Sequence, residues 1–595
     1  MTEQSDDALS GSYDPSLLRR LLAFLRPYRW PALGAVLLLL AISALALVGP
    51  VLTRRALDVA VPARDTGLLL TLASLLLGAL LLEFLLDYSQ TVLTTWIGQR
   101  VMRDLRMALF GHFQRLSLPF FDRNPVGRLM TRVTSDVETL NELFSSGVVT
   151  VFGDLFTLGI IMVAMVAIDW RLALVAFAVI PIMWLTARVF RHRVRDAFRD
   201  IRHQVARLNS YLQERLSGIR VVQLFGRERA ASEEFAAINR DHLAAQLRSV
   251  TIYAVFFPVV ELLTAVALGL LLWYGGLRQL GGTVTIGTLA AFIMWTRRFF
   301  QPLQDLAEKF NLLQSAMASS ERVFRLLDES VTVEEPAHPR SLPRPVLGEI
   351  AFEDVWFRYS PNGPWVLEEI SFTARPGETV ALVGPTGSGK TTVASLLLRF
   401  YDPERGRITI DGVDIRELTT AELRSQLGYV QQELFLFTGD ILRNVRLDAP
   451  ISDQQAVAAA ERVGADRFIK RLPDGYRHVL GERGRSLSVG ERQLLSFARA
   501  LALDPRILVL DEATSSVDAE AEAQIQEALE ELMAGRTCLV IAHRLSTILH
   551  ADQILLLQHG RIRERGTHRQ LLSQDGLYRR LYDLHLRAEP DRRTA

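Results

Sequence analysis

The sequence predicts a multidomain chain, an all-α membrane domain followed by an α/β domain, and three observations support that prediction. Hydrophobic residues make up 49% of the 595 residues, and the mean hydropathy of +0.17 is high for a wholly soluble protein. Long apolar runs are confined to the first half. In the second half, short β-rich runs alternate with helical segments, which is typical of a largely parallel sheet packed against helices.

Charge, cysteine content and the amino terminus narrow the possibilities. The net charge is +1, because 67 basic residues balance 66 acidic ones, so it indicates no particular partner. Cys538 is the single cysteine, which excludes an intramolecular disulfide. The first residues, MTEQSDDALSGSYDP, are acidic and polar, unlike a cleavable signal peptide. Membrane insertion is therefore expected to depend on retained spans.

Six apolar runs in the first half are each close to the ~20 residues that a helix needs to cross a bilayer. Only a short polar turn separates the third run from the fourth, so these two should form a hairpin. An even number of spans places both ends of this half on one side of the membrane. We predict the spans at about 31–53, 67–90, 143–168, 171–191, 251–275 and 284–306.

Arginine placement predicts which side that is. The segments between the second and third spans and between the fourth and fifth spans are both arginine-rich. By the positive-inside rule they face the cytoplasm, together with the second half of the chain. Both are helical in pattern, so helices should continue past the membrane and turn back near 119–130 and 211–222. We expect a multi-pass protein of the cell membrane, in a bacterium the inner membrane.

A proline-rich stretch, PAHPRSLPRPV at 336–346, indicates an extended connection between the halves. No internal repeat relates the two halves, so one membrane part and one soluble part are expected. The predicted boundaries are an N-terminal tail at 1–14, the membrane domain at 15–320, a linker at 321–345, the α/β domain at 346–585 and a C-terminal tail at 586–595.

A phosphate-binding loop is predicted after the strand-like run TVALV. The stretch GPTGSGKTT fits G-x-x-x-x-G-K-[ST] and leads into a helical run, a context that disfavours a chance glycine-rich turn. Glycines let backbone N–H groups surround phosphate oxygens, and Lys390 supplies a compact charge for the terminal phosphates. Thr391 should hold Mg²⁺ through its hydroxyl. The loop comprises Gly384, Pro385, Thr386, Gly387, Ser388, Gly389, Lys390, Thr391 and Thr392.

Residues elsewhere in the second half could complete a nucleoside triphosphatase site. After the aliphatic run ILVL, Asp511 would hold Mg²⁺ through water and Glu512 would polarise the attacking water. Tyr359 could stack on a base, Gln432 could ligate Mg²⁺, and His543 could hydrogen-bond the γ-phosphate. Taken singly, the acidic pair would more often be a solvated turn, the tyrosine part of a core and the histidine structural.

One further helix start lacks an obvious ligand. In SLSVGERQLLSFARA, at 486–500, the turn formed by Leu487, Ser488, Val489 and Gly490 leads into an amphipathic run. Backbone N–H groups at such a start can bind an anion. No phosphate-gripping lysine lies nearby in the sequence, and Glu491 adds a negative charge.

In order, Tyr359, GPTGSGKT, Gln432, LSVGERQ, LVLDE, SSVD and His543 resemble the nucleotide-binding domain of ABC transporters. The six-span half resembles exporters that fuse one membrane domain and one nucleotide-binding domain per chain. The resemblance implies an ATPase of P-loop fold that uses ATP and Mg²⁺, with Glu512 and His543 as catalytic residues.

The same resemblance implies a dimer. Two chains would meet head to tail, so that the Ser488 loop of one caps the ATP held by the other, with Asp518 in the D-loop. The loop departs from the usual LSGGQ at Val489 and Glu491, and that carboxylate would repel phosphate unless Arg492 or solvent screens it. The following RQLLSFARAL resembles the hydrolysis-competent half of heterodimeric bacterial multidrug exporters, so a heterodimer is slightly favoured over a homodimer.

Ionisable residues within the predicted spans are candidates for a cargo cavity, because such groups are costly in a bilayer and usually face a cavity or a partner. Glu261, Arg297 and Arg298 are the candidates we prefer, and the alternative for Glu261 is a salt bridge with one of those arginines. Glu83, Asp87 and Asp154 also lie in or at the edges of spans.

The spans contain few polar residues, so a hydrophobic or amphipathic cargo fits better than a sugar or an ion. The leading interpretation is an ATP-driven multidrug-type exporter, and the alternatives are a lipid flippase and an ATP-binding regulatory subunit. A soluble ABC ATPase of translation or DNA repair is disfavoured by six spans, and no nucleic-acid partner is expected.

Overall fold

The computed structural model describes residues 15–432, 434–511, 519–542 and 545–588. The chain divides into two compact units. The first is Met1–Gln114 with Val126–Glu329, and the second is Arg115–Pro125 with Ser330–Ala595. The predicted N-terminal tail, 1–14, and residues 589–595 of the predicted C-terminal tail lie outside the described residues.

The first unit is helical in its described part, and several of its helices are far longer than a bilayer requires. In chain order its helices are α1 (Pro15–Ala23), α2 (Arg29–Leu45), α3 (Val48–Arg55), α4 (Thr66–Phe113), then, after α5 (Leu118–Arg123) of the second unit, α6 (Val126–Thr131), α7 (Val137–Glu142), α8 (Val149–Ile168), α9 (Trp170–Phe177), α10 (Ile180–Ser217), α11 (Ile219–Leu224), α12 (Glu228–Leu280) and α13 (Ile286–Leu327).

Among the described residues, five helical stretches are long and apolar enough to cross a membrane. They overlap the first five predicted spans, although the third stretch begins at Val151 where the prediction begins at 143. They are Arg26–Ala60, Thr66–Phe113, Val151–Ile168, Trp170–Ser217 and Glu228–Leu280. The sixth predicted span, 284–306, lies in helix α13 from Ile286 onward, and the side chains at 301–306 are outside the description. The helices also continue past the apolar runs, as the arginine-rich segments predict.

Short polar side chains set several helix starts in this unit. Asp169 accepts from the Arg171 and Leu172 N–H groups, which separates α8 from α9 at the predicted hairpin. Asp65 caps α4 through the Leu68 N–H in the same way.

A buried carboxylate ties two helical regions together near the end of α13. Asp136 is 6% exposed and accepts from Arg132 at 2.8 Å and from Arg322 at 2.5 Å. Burial alone would raise the pKa of Asp136, but the hydrogen bonds and charges of Arg322 and Arg132 outweigh it, so the pKa is lowered. The carboxylate is therefore ionised when it holds both guanidinium groups.

The second unit is an α/β domain whose described residues form three sheets, of six, four and two strands. Its strands are β1 (Ile350–Phe357), β2 (Leu367–Ala374), β3 (Thr379–Val383), β4 (Arg405–Ile410), β5 (Val413–Asp414), β6 (Leu427–Val430), β7 (Gly439–Asp440), β8 (Val479–Leu480), β9 (Ile507–Asp511), β10 (Thr537–Ile541), β11 (Gln553–Gln558) and β12 (Arg561–Gly566). Its further helices are α14 (Lys390–Leu397), α15 (Thr420–Ser425), α16 (Ile441–Arg446), α17 (Asp453–Arg462), α18 (Asp466–Ile469), α19 (Val489–Leu501), α20 (Ala519–Met533), α21 (Leu545–Leu549), α22 (His568–Ser573) and α23 (Leu577–Ala588).

The main sheet of this unit is largely parallel, as the sequence predicts. In its described residues the strand order is β12-β11-β3-β10-β9-β6, and only the β11–β12 pair is antiparallel. Strands β9 and β10 are buried along their whole length. One face of the sheet packs against helices that include α19 and α20, and the other packs against α14 and the strands β1, β2 and β4. The carboxyl ends of β3, β9 and β10 lie at one edge of this sheet.

The structure places the join between the parts differently from the predicted boundaries. Helix α13 continues to Leu327, seven residues into the predicted linker at 321–345, because Val323 and Phe324 are buried in the first unit. Residues 328–349 then belong to no helix or strand. Residues 115–125, which the prediction assigns to the membrane domain, cluster with the second unit.

Candidate functional site

The loop after β3 has the conformation that its glycines allow. Gly384 has a φ of 154°, and a Cβ built there would lie 2.1 Å from the Leu557 carbonyl oxygen. Gly389 has a φ of 105° and immediately precedes α14, which begins at Lys390. The backbone of 384–389 therefore curls between β3 and the first turn of α14, in the arrangement that exposes N–H groups to a phosphate.

Two buried polar side chains of this loop fit a phosphate ligand. Lys390 Nζ donates to the carbonyl oxygens of Gly384 at 2.7 Å and Pro385 at 3.1 Å. Burial lowers the pKa of Lys390, and the charge of Asp511 opposes that shift. Ser388 is 3% exposed, and its hydroxyl has no hydrogen-bond partner among the described residues. A phosphate oxygen would supply acceptors for both groups, whereas Pro385, Thr386 and Gly387 are exposed.

Three oxygen donors near the loop suit Mg²⁺, which prefers hydroxyl, carbonyl and carboxylate oxygens. Thr391 is exposed at the start of α14. Gln432 and Asp511 line one small cavity, and Asp511 is 6% exposed at the end of β9. The structure thus brings Gln432 and Asp511 together, and the donor set fits the ion. Their roles as ligands stay predictions.

Tyr359 presents its ring to solvent next to the loop. The residue is 44% exposed, and its hydroxyl lies 3.0 Å from the Thr392 hydroxyl on α14. The ring stands edge-on to Phe357 and Tyr401, with centroids 5.0 and 5.1 Å away. An exposed aromatic face held by buried rings can stack on a nucleotide base.

The segment 115–125 contacts this aromatic cluster, and the sequence does not predict these contacts. Arg123 donates to the Tyr359 carbonyl oxygen at 3.0 Å, and the Tyr401 hydroxyl donates to the Asp122 carboxylate. Burial and the neighbouring Asp122 raise the pKa of Tyr401. No spacing rule pairs residues so far apart in the chain, so sequence alone gives no signal for these contacts.

The second helix start that is predicted to bind an anion, at Ser488, is capped by its own side chains. Ser488 is the N-cap residue of α19, and its hydroxyl accepts from the Glu491 N–H. Leu487 and Gly490 are buried, whereas Val489 is exposed. Helix α19 begins at Val489, as the amphipathic run predicts.

Three predicted residues lie outside the described residues. They are Glu512, Asp518 and His543. Strands β9 and β10, which precede them in the chain, are parallel and pair Asp511 with Ile541. The catalytic and D-loop assignments therefore stay predictions.

Charged side chains of the first unit form one contact that bears on the predicted cargo cavity. Arg298 donates to Glu83 and to the Ala46 carbonyl oxygen, both at 3.2 Å. Arg298 thus pairs with Glu83 on α4, and among the described residues no ion pair joins Arg298 to Glu261, which was the alternative for Glu261. Glu261 and Arg297 are exposed. Their assignment to a cargo cavity stays a prediction.

Fold and site together define a class, a multi-pass membrane protein that carries a P-loop ATPase unit. Residues 33–303 match the family described as ABC transporter transmembrane region, and residues 367–515 match the family described as ABC transporter. The chain belongs to the ABC transporters, as an exporter-type half-transporter with a cytoplasmic ATP-hydrolysing domain. Half-transporters of this type work as dimers.

Two relatives and one solved structure illustrate the match. A probable multidrug resistance ABC transporter ATP-binding/permease protein of Bacillus subtilis is 40% identical over 517 residues, 85% of this chain and 75% of the relative. An ATP-dependent lipid A-core flippase of Syntrophus aciditrophicus is 37% identical over 580 residues, 97% of this chain and 96% of the relative. A bacterial Atm1-family ABC exporter with ATP bound has a TM-score of 0.76 at 29% identity, covering 94% of this chain and 98% of that one.

Proposed function

We propose that this chain is one half of a dimeric exporter that uses ATP to move hydrophobic or amphipathic compounds out of the cytoplasm. The observation that carries the proposal is the loop at 384–392, where the buried Ser388 hydroxyl lacks a partner and the buried Lys390 folds back onto loop carbonyls. Both groups suit the phosphates of ATP. The same chain supplies apolar helices long enough to enclose a transport path.

Each residue of the nucleotide site would have a separate task. Lys390 would exchange its bonds to loop carbonyls for bonds to the terminal phosphates, and Tyr359 would stack on the base. Glu512 would polarise the attacking water, and His543 would hydrogen-bond the γ-phosphate. Thr391, Gln432 and Asp511 would hold Mg²⁺. The ion, when bound, neutralises charge that develops on the β- and γ-phosphates.

A second chain would complete both the site and the coupling. The turn between α10 and α12 exposes apolar side chains, with Leu224 80% and Phe225 70% exposed. A patch of this kind at a cytoplasmic tip suits docking on another half-transporter. ATP bound between the chains would favour a closed pair, and this turn near Gly218, with the turn near Gly127, would carry the motion to the spans.

Glu261, Arg297 and Arg298 are proposed to face the cargo path. A Glu261→Gln variant separates two kinds of cargo, because it removes the charge and keeps the shape. Export of a cationic dye should fall in this variant, whereas export of a neutral dye should be unchanged. Equal loss of both would point to a structural role for Glu261.

The lipid A-core flippase among the relatives favours lipid as the alternative cargo. Drugs and lipids need the same ATPase, so only cargo experiments separate them. ATPase activity measured in nanodiscs against a panel of lipids and drugs should rise with one class.

Copurification of an untagged partner of different size would show the heterodimer that we slightly favour. A regulatory subunit without cargo is disfavoured, since Lys390 and Asp511 are both present.

The catalytic assignment is tested by Glu512→Gln. We expect this variant to bind ATP as well as the unaltered chain and to lose nearly all turnover, because the amide cannot polarise water. Normal ATPase activity in Glu512→Gln would remove Glu512 from this role. Lys390→Ala is the matched control, since it should lose ATP binding itself.

A further inference from the structure

We propose that Glu491 is a built-in negative charge that opposes ATP-driven pairing of the two nucleotide-binding units, and so sets the ATP concentration at which they close. The inference rests on the proposed function, in which the Ser488 loop contacts the γ-phosphate held by a partner chain. It adds a residue that regulates that contact without taking part in hydrolysis.

The start of α19 is closed by its own side chains. The Ser488 N–H donates to Glu491 Oε2 at 2.8 Å, and the Glu491 N–H donates to the Ser488 hydroxyl at 3.2 Å. This reciprocal pair is a capping box, in which the residue at the third helical position bonds back to the N-cap backbone. The carboxylate of Glu491 is therefore held on the Ser488 N–H, close to the Ser488 hydroxyl and the Gly490 N–H that are proposed to contact the phosphate.

Among the described residues, no basic side chain forms an ion pair with this carboxylate. Arg492, which follows it in sequence, donates its Nη1 to the Leu487 carbonyl oxygen at 2.7 Å. In the part of the chain that the structure describes, no ion pair involves Glu491. Glu491 is also half-buried, which limits the screening that water provides. Arg492 therefore bonds the loop backbone and forms no ion pair with Glu491.

A γ-phosphate that approaches the Ser488 hydroxyl and the Gly490 N–H meets this charge close behind them. Like charges at such range repel, and the repulsion grows as water leaves the interface. The two nucleotide-binding units can close against the repulsion, or the Glu491 side chain can rotate away and lose its hydrogen bond to the Ser488 N–H. Either route makes closing less favourable than it is with a neutral side chain at 491.

Two other helices of the same unit show that a neutral side chain can close the box. Helix α17 begins with Ser452 and Gln455, and α22 begins with Thr567 and Gln570, each with both reciprocal hydrogen bonds. Glutamine thus supports the same helix start in this fold. Glu491→Gln should remove the charge and keep the cap.

The test uses the full chain, with any copurifying partner, in nanodiscs. An exposed residue, Asp474, is replaced by cysteine and spin-labelled, so that the label reports the distance between the two nucleotide-binding units of the dimer. The native Cys538 is buried and should not take the label. The Glu491→Gln variant should close at an ATP concentration up to about tenfold lower than the one that the unaltered chain requires. The difference from the unaltered chain should shrink as salt is raised from about 0.05 to 0.5 M, because salt screens charge.

Two further variants separate charge from structure. Gln455→Glu places the same charge in another capping box and should leave the ATP requirement unchanged. Glu491→Ala removes both charge and cap, so it should lower the midpoint of thermal unfolding and still lower the ATP requirement. A structural role alone would move only the unfolding midpoint.

The outcomes distinguish this inference from the function on which it rests. If Ser488→Ala abolishes closure but Glu491→Gln leaves the ATP requirement unchanged, the inference is overturned and the proposed function stands. If closure persists in both Ser488→Ala and Lys390→Ala, the proposed function itself is overturned.

Discussion

Single residues of the phosphate loop differ in how strictly they must be glycine. Gly384 and Gly387 both have positive φ, at 154° and 79°. A Cβ at Gly384 would collide with the Leu557 carbonyl oxygen, whereas a Cβ at Gly387 meets nothing within 4 Å. The same substitution therefore probes a close contact at one position and backbone strain alone at the other.

We expect Gly384→Ala to abolish detectable ATP binding and to lower the midpoint of thermal unfolding by several degrees, because β3 and β11 must separate to admit the methyl group. Gly387→Ala should cost about 1 kcal/mol, the penalty of a left-handed backbone for alanine. Isothermal titration with ATP and a thermal melt check both variants. Equal effects at the two positions would contradict this explanation.

Asp136 gives a second prediction for a single residue. Asp136→Asn should destabilise the chain by about 3 kcal/mol, because it leaves the partly buried Arg132 and Arg322 without their shared carboxylate. Glu233→Gln is the control, since the Arg229–Glu233 pair is 93% and 68% exposed and should matter by less than about 0.5 kcal/mol. Thermal melts of both variants check the difference.

The pH dependence of this contribution follows from the lowered pKa of Asp136. Its stabilising effect should be fully present above about pH 3.9, the pKa of an unfolded aspartate, and be lost as the pH falls through the lower folded value. Melts of the unaltered chain and of Asp136→Asn should therefore converge only in strong acid. A difference that vanishes near neutral pH would contradict the assignment.

Sequence reasoning reaches some of these residues and misses others for physical reasons. The phosphate loop can be recognised in the sequence because its glycines and lysine must follow one another at fixed spacing. The Ser488–Glu491 box also has a local signature, S-x-x-E before an apolar run, that could have revealed it. Asp122, Tyr401 and Asp136 find partners through tertiary packing, and no local pattern encodes such pairs.

Helix α5 shows how one short element can belong to two parts of the chain. It lies in sequence between α4 and α6 of the first unit, yet residues 115–125 cluster with the second unit. Asp122 and Arg123 fix it to Tyr401 and to the backbone of Tyr359. If Tyr359 stacks on the base as proposed, a change there would reach α4 and α6 through the covalent chain.

Tyr401→Phe tests that connection. It removes only the hydroxyl that bonds Asp122, so ATP affinity should stay within about twofold, while stimulation of ATPase activity by cargo should fall several-fold. Tyr476→Phe is the matched control, because the Tyr476 hydroxyl is buried without a partner among the described residues. If both variants keep full stimulation, α5 does not depend on this bond.

Elements with strong periodicity are the ones that the sequence predicts well. The apolar runs within Thr66–Phe113 and Glu228–Leu280 are long enough to be unmistakable, and the buried strands β3, β9 and β10 follow from short aliphatic runs. The end of α13 is missed because ERVFRLL looks like the start of a charged linker. Burial of Val323 and Phe324, a tertiary effect, keeps it helical.

For the whole molecule, the exposed turn at α11 predicts dependence on a second chain. Leu224→Asp should leave the unfolding midpoint of the chain unchanged, because the side chain is 80% exposed, and should reduce cargo-stimulated ATPase activity several-fold. Leu503→Asp, at a side chain 48% exposed elsewhere, is the control. Unchanged activity in Leu224→Asp would show that this turn docks on nothing.

Helices α10 and α12 pack along each other, and α12 runs for 53 residues with one internal proline, Pro258. At 1.5 Å per residue it is about 80 Å long, more than twice the thickness of the hydrocarbon layer. In the proposed transport cycle such a helix would act as a lever. A tilt of about 5° about one end moves the other end by about 7 Å, so a small rotation at the cytoplasmic end would become a large displacement at the far leaflet.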